Sequence, residues 1–200
     1  RIGPARAVQQ GWIAPRTMAV ATLFSLFLAL LVGLYLINIG GWPIAAIGVF
    51  SLICAVAYTG GPMPLAYVGL GDLFVFLFFG LAAVAGTAFV QLLYVPKETW
   101  IAGACIGLLA TAILVVNNLR DRETDKDANK RTLVVRFGPR VARTEHMLCL
   151  FVPYALVGVA VILETAPLGW LLTFLSLPFA IKEVRAVQQK DGPALNVHLA

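Results

Sequence analysis

Six long apolar runs constrain this chain more than any other feature of it. They lie at about residues 17–38, 43–58, 73–95, 100–118, 146–163 and 166–181. A helix needs roughly 20 predominantly apolar residues to cross the hydrocarbon layer of a bilayer. A soluble core would not require runs of this length and would interleave them with polar faces. Only 12% of the 200 residues are charged, against about 25% in a typical soluble domain, so several bilayer crossings are the economical reading. Turn formers or charges separate the runs at Gly40-Gly41-Trp42-Pro43, at 58–71, at Val95-Pro96-Lys97-Glu98 and at Glu164-Thr165-Ala166-Pro167. The expected fold class is an all-α, polytopic transmembrane helix bundle with six spans, forming a single domain over residues 1–200. The chain opens on Arg1 without a basic-then-apolar signal-peptide pattern, which predicts an internal piece of a longer protein or a processed N-terminus.

Charge placement sets the orientation. With six spans, one side of the membrane receives residues 1–16, 59–72, 119–145 and 182–200. Those segments carry every Lys and Arg of the 15 except Lys97. Basic residues are retained on the cytoplasmic side, so the 119–145 loop is expected to be cytoplasmic and the protein to be a multi-pass component of the inner (cytoplasmic) membrane. Removing any one span would scatter the charges over both faces. The net charge of +5 is thereby explained by topology and by affinity for anionic lipid headgroups, and nucleic acid is not an expected partner.

Cys54, Cys105 and Cys149 each sit alone in a different apolar run, as buried small hydrophobic residues do. His146 and His198 form no motif. Gly103-x-x-x-Gly107 reads as a site of close helix packing. Gly69-x-Gly71 lacks the preceding strand that a dinucleotide site requires.

The densest polar segment is 117–131. On a helix, Asn117, Asp121 and Asp125 spread over roughly 80° and climb about 12 Å, forming an oxygen-rich stripe that starts at the end of an apolar span. Such a stripe repels itself unless a cation lies against it. Mg²⁺ takes one or two protein carboxylates and completes its shell with water and phosphate oxygens. Lys126, Lys130, Arg131 and Arg136 follow closely and supply charge for phosphate. The competing reading is a solvated juxtamembrane loop, which suffices for Arg122, Glu123, Asp127 and Arg140. Asp72, at the start of the third run, reads either as a helix N-cap or as a cavity residue.

The run Asn117-x-x-x-Asp121-x-x-x-Asp125, closing on Lys130-Arg131-Thr132-Leu133, resembles the second aspartate-rich motif of the UbiA-type intramembrane prenyltransferases. The stretches Tyr58-Thr59-Gly60-Gly61-Pro62-Met63-Pro64, Gly69-Leu70-Gly71-Asp72 and Phe74-Val75-Phe76-Leu77-Phe78-Phe79-Gly80 resemble the branch of that superfamily that prenylates 1,4-dihydroxy-2-naphthoate in menaquinone synthesis. So do Arg1-Ile2-Gly3-Pro4 and Gln10-Gly11. The resemblance implies a nine-helix fold in which the six runs are helices three to eight, with a first aspartate motif on a helix outside the 200 residues. It further implies that these residues alone do not catalyse transfer. Met63 stands where related loops often carry a basic residue, so the superfamily's Tyr-x-x-x-Lys pattern is incomplete after Tyr58. Tyr58 reads equally as a diphosphate contact and as an interface anchor.

By the same resemblance, Mg²⁺ held by Asp121 and Asp125, with Asn117 in support, assists departure of diphosphate from a polyprenyl diphosphate. Lys130, Arg131, Arg136 and Tyr58 contact that donor, and the aromatic acceptor, dihydroxynaphthoate, loses its carboxyl group on the way to demethylmenaquinone. A water-poor helix bundle protects the allylic cation from capture by solvent. Two other classes compete. A transporter places polar residues in mid-span as a pathway, and the runs here are nearly free of charge. A lipid-headgroup phosphotransferase also uses spaced aspartates, with an intervening glycine and arginine pattern that is missing here.

Overall fold

The computed structural model describes residues 7–59 and 64–199. Residues 1–6 and Gly60–Met63, which carry part of the resemblance above, lie outside the described residues. Those that are described form helices and turns, with no strand among them. The helices are α1 (Pro15–Thr59), α2 (Gly71–Val75), α3 (Ala83–Leu92), α4 (Lys97–Arg120), α5 (Arg122–Asp127), α6 (Leu133–Phe137), α7 (Pro139–Ile162) and α8 (Leu177–Gln189). A π-helical stretch, Phe76–Ala82, joins α2 to α3, and 3-10 helices cover Leu168–Ser176 and Gly192–His198.

Among the described residues, four stretches are long and apolar enough to cross a bilayer: 15–58, 71–92, 97–120 and 139–162. They correspond to five of the six predicted runs, because the first two form one 45-residue helical stretch interrupted only at Gly41. Gly41 adopts φ 65° and ψ −152°, a backbone conformation open essentially to glycine. Pro43, two residues on, cannot donate the next helical hydrogen bond. The predicted turn is therefore a kink. The sixth run, 166–181, departs further from expectation, since it divides between a 3-10 helix and the start of α8. Pro167 and Pro178 remove backbone donors at both junctions, and Lys182, Glu183 and Arg185 turn α8 polar after one turn. The 119–145 loop is likewise structured: it comprises the end of α4, α5, α6 and the first turns of α7, which starts at Pro139 after the non-helical Gly138.

The long helices present their apolar side chains outward. Phe24, Phe27, Leu31, Phe50 and Val56 of α1 are all exposed, and no residue in its most apolar 18-residue window is buried. A chain of this kind is stable only in a hydrocarbon solvent, so the protein is membrane-embedded.

α4 is the central element, packing along α7 on one side and against the π stretch on the other. The π stretch explains how one helix keeps contact with α4 over its length. Asp72, Phe76 and Gly80 are spaced four and four, a step that drifts about 40° in an α-helix. The wider π turn rotates less per residue and reverses that drift. The result is that the Thr111 hydroxyl of α4 lies 3.4 Å from the Asp72 carbonyl, while Gly80 meets Gly103 and Gly107. A Cβ at Gly80 would fall 2.5 Å from the Gly103 carbonyl oxygen and from Gly107 Cα. The Gly103-x-x-x-Gly107 pattern thus does serve close packing. The cysteines are free; Cys54 and Cys149 are buried, and the Cys105 thiol faces the Pro153 carbonyl of α7 at 3.7 Å.

A small core closes one end of the bundle. Val115, Val116 and Leu119 of α4 pack with Val134 of α6, Ala142 of α7, Val187 of α8 and Leu195 of the terminal 3-10 helix. It brings segments 119–145 and 182–199 together, as the charge argument grouped them. Hydrogen bonds tie the 64–72 segment to the same end: Arg131 N–H donates to the Tyr67 carbonyl at 2.8 Å, and Arg136 Nη2 to the Val68 carbonyl at 2.8 Å. Lys97 opens α4 at the opposite end of its 24 residues.

Candidate functional site

At this polar end lies a cavity of about 390 Å³ bordered by Tyr58, Tyr67, Asp72, Asn118, Asp121, Asp125, Lys130 and Thr132, with Leu114 at its apolar edge. Leu114, Asn118, Asp121 and Asp125 follow a four-three-four spacing, which keeps residues on one helical stripe within about 20° per seven residues. The helix is interrupted at Asp121 (φ −91°, ψ 9°) and resumes as α5. The i to i+4 bonding continues through the break: Asp121 N–H donates to the Asn117 carbonyl at 3.0 Å, and Asp125 N–H to the Asp121 carbonyl at 2.8 Å. Asn129, at φ 54°, then turns the chain into α6, and asparagine tolerates that left-handed backbone. This turn returns Lys130 and Thr132 to the cavity.

Both motif carboxylates are held by basic side chains. Arg120 grips Asp121 with two parallel bonds, Nε to Oδ1 at 2.8 Å and Nη2 to Oδ2 at 2.7 Å. Lys130 Nζ donates to Asp125 Oδ2 at 2.9 Å. Asp72 is buried, with Asn118 Nδ2 at 3.4 Å from its Oδ1. It lies in the first turn of α2 behind Leu70, so it is a cavity residue and not the N-cap.

Of the residues singled out from sequence, Tyr58, Asp121, Asp125 and Lys130 border this one cavity. Asn117 sits one turn before Asp121 outside the cavity lining, and its neighbour Asn118 faces in. Arg131 lies between two lining residues and bonds through its backbone, while the Arg136 guanidinium is engaged by Val68. Sequence reasoning passed over Asn118, Arg120 and Thr132. The paired asparagines 117 and 118 were the available signal, but choosing between them needs the helix's rotation against α2.

The donor set can be tested against a divalent cation. No group of three His, Cys, Asp or Glu among the described residues is placed to hold a metal. The cavity nonetheless presents hard carboxylate oxygens, and the Thr132 hydroxyl is buried in its wall with no hydrogen-bond partner among the described residues. Hard oxygens too few for a cage suit Mg²⁺ completed by phosphate oxygens of a ligand.

The surroundings of Tyr58 complete the geometry. It also borders an apolar groove of about 490 Å³ lined by Cys54, Ala55, Phe74, Val75, Phe78 and Phe79. Phe78, stacked on Phe74 and Phe50 at ring distances of 5.9 and 5.7 Å, leads to a second apolar groove toward Trp100. A polar, carboxylate- and lysine-lined cavity and an apolar groove thus share Tyr58 as a common wall. Fold and site together define a polytopic helical membrane protein with a polar cavity at one end of the bundle.

The profile of the UbiA prenyltransferase family matches residues 1–197, and the chain belongs to that family. It is 37% identical to 1,4-dihydroxy-2-naphthoate octaprenyltransferase of Escherichia coli over 96% of the chain and 65% of that protein. It is 36% identical to the Mycobacterium tuberculosis protein of the same name, again over 96% of the chain and 65% of the relative. A UbiA prenyltransferase domain-containing protein of Danio rerio is 35% identical over 65% of the chain and 38% of its own length. The chain spans about 65% of the length of the octaprenyltransferases it matches.

Proposed function

We propose that the full-length protein transfers a polyprenyl group from a polyprenyl diphosphate to 1,4-dihydroxy-2-naphthoate, with the polar end of the bundle on the cytoplasmic face of the inner membrane. The observation that carries this reading is the junction at Tyr58, where a cavity holding Asp121, Asp125 and Lys130 meets an apolar groove. A diphosphate occupies the first and its hydrocarbon tail the second. The octaprenyltransferase names of the relatives favour the naphthoate acceptor.

Asp121 and Asp125 would hold Mg²⁺, with Asn117 supporting them from the preceding turn through its carbonyl, which accepts the Asp121 N–H. When bound, Mg²⁺ supplies the Lewis acidity that offsets charge gathering on the leaving diphosphate. Lys130 exchanges its bond to Asp125 for a phosphate oxygen, and Arg131, Arg136 and Tyr58 contribute at the rim of the cavity. The allylic C–O bond breaks with its electron pair leaving on diphosphate, and the allylic carbon bonds to the ring carbon that bears the carboxylate. Loss of that carboxylate as CO₂ returns the electron pair to the ring and gives the quinol form of demethylmenaquinone. The apolar walls Phe74, Phe78 and Phe79 exclude water, which would otherwise capture the cation.

The test is to incubate the purified full-length protein with a polyprenyl diphosphate, dihydroxynaphthoate and Mg²⁺, and to identify products by mass. A prenylated, decarboxylated naphthalenediol is expected. Passage of either compound across a proteoliposome without covalent product would replace this reading with transport. Lys130→Met is expected to raise the KM for the diphosphate about tenfold, the worth of a bond to a charged group, with a smaller effect on kcat. An unchanged KM would remove Lys130 from the donor site.

A further inference from the structure

The residue that orients Asp121 is itself held from the far end of the chain. Arg120 is buried, at 7% exposure, and does not line the cavity. Two of its nitrogens engage Asp121, and Nη1 donates to Asn196 Oδ1 at 3.2 Å. Lys130, by contrast, borders the cavity and has a single carboxylate partner. The two cations therefore have different scope: Lys130 is free to turn toward a ligand, and Arg120 is fastened on both sides.

The position of Asn196 is determined from several directions. Its neighbour Leu195 is fully buried in the core that includes Val115, Val116 and Leu119 of α4. Just before the terminal 3-10 helix, Arg143 of α7 donates to the Val187 and Lys190 carbonyls at 3.2 and 3.0 Å and to Asp191 Oδ1 at 2.8 Å. At the end of that helix, Lys190 Nζ donates to His198 Nε2 at 2.8 Å, and His198 Nδ1 donates to Glu183 at 2.9 Å. The turn is clamped before and after Asn196, so its amide oxygen is a fixed point against which the guanidinium is set.

We propose that Asn196, through the terminal 3-10 helix, is a positioning residue of the candidate diphosphate site: it holds Arg120, and Arg120 holds the Asp121 carboxylate toward the cavity. This rests on the prenyl-diphosphate reading of the same cavity. The planar guanidinium passes orientation from one partner to the other because its donors are rigidly related. Without the Asn196 acceptor, Arg120 keeps its charge pairing with Asp121 but loses its outer anchor. The carboxylate then samples orientations that bind Mg²⁺–diphosphate less well.

The experiment measures, for the full-length protein, both prenyl transfer and the equilibrium binding of a non-reactive prenyl diphosphate analogue as functions of Mg²⁺ concentration, and the two profiles should shift together. Asn196→Leu, close in size but without an acceptor, is expected to raise the half-activating Mg²⁺ concentration about three- to tenfold, the range for one ordinary hydrogen bond. The rate at saturating Mg²⁺ should fall less. Asn196→Asp, which keeps an acceptor oxygen, should recover most of the wild-type requirement. In an Arg120→Gln background, Asn196→Leu should add nothing, because the route through the guanidinium is already cut. An unchanged Mg²⁺ profile in Asn196→Leu, or full additivity with Arg120→Gln, overturns the proposal while leaving the donor site in place. Should Asn196→Leu fold poorly, Asn196→Ser in the same double-mutant comparison decides between the same outcomes. Retained transfer in Asp121→Ala would instead overturn the underlying site, and this proposal with it.

Discussion

Replacing Asp121 with alanine in the full-length protein is expected to lower prenyl transfer by about 100- to 1,000-fold, the loss typical when one preorganised group facing a developing charge is removed. The membrane-inserted fold should survive. Asp121 lies where α4 gives way to α5, and its backbone bonds to Asn117 and Asp125 do not depend on its side chain. Its carboxylate has one tight partner, the buried Arg120. Removing it leaves that guanidinium with Asn196 alone, and stranding one half of a buried pair carries its own penalty. Asp121→Asn is therefore the cleaner companion: it keeps an oxygen for Arg120 and removes the charge that a metal–diphosphate requires. Both variants should lose transfer, and Asp121→Asn should elute from detergent gel filtration like the wild type. Undiminished activity of either variant across a Mg²⁺ titration would refute the assignment of this carboxylate.

The largest structural effect is expected at Gly80. An added Cβ would fall 2.5 Å from both the Gly103 carbonyl oxygen and Gly107 Cα. These are backbone atoms in the middle of α4, and they cannot swing aside as a side chain would. Gly80→Ala should force the π stretch away from α4 at a cost of about 3 kcal/mol, corresponding to a drop of roughly 6–12 °C in Tm for a chain of this size. Gly80→Leu should prevent recovery of monodisperse protein. The matched control is Gly86→Ala on α3, where a Cβ would meet nothing within 4 Å. Equal melting of Gly80→Ala and Gly86→Ala would show that the two helices are not held by this contact. Because the same helix carries Asp72 toward Asn118, the loosened Gly80→Ala protein should also bind prenyl diphosphate more weakly.

Asn117, Asp121 and Asp125 illustrate how much of the site could be read from sequence. Their spacing marks a polar stripe at the end of an apolar run, because helix pitch is the same in every helix. Which of Asn117 and Asn118 faces the cavity depends on how α4 is rotated against α2, and that rotation is set by the contacts of Gly80, Gly103 and Gly107. Asp72 belongs to the same difficulty. Near the start of a helix its residue type suggests a cap; its burial against Asn118, 46 residues away, depends on packing. The departure at the sixth run arises differently. The division of 166–181 at Pro167 and Pro178 comes from backbone chemistry that hydropathy alone does not weigh, whereas the break at Gly41 falls where the turn formers placed it.

Sequence by itself determined that this chain is a helical membrane protein, that five of its six apolar runs fall within long apolar helices, and that segments 119–145 and 182–199 share one end. Hydrophobic length and charge sidedness are summed over many residues, so no single contact can overturn them. Only the tertiary structure decided the composition of the cavity wall, the pairing of Asp121 with Arg120, and the anchoring of Arg120 by Asn196, 76 residues further along the chain. Those features depend on single hydrogen bonds between distant segments, whose geometry exists only once α4, α7 and the terminal 3-10 helix have packed.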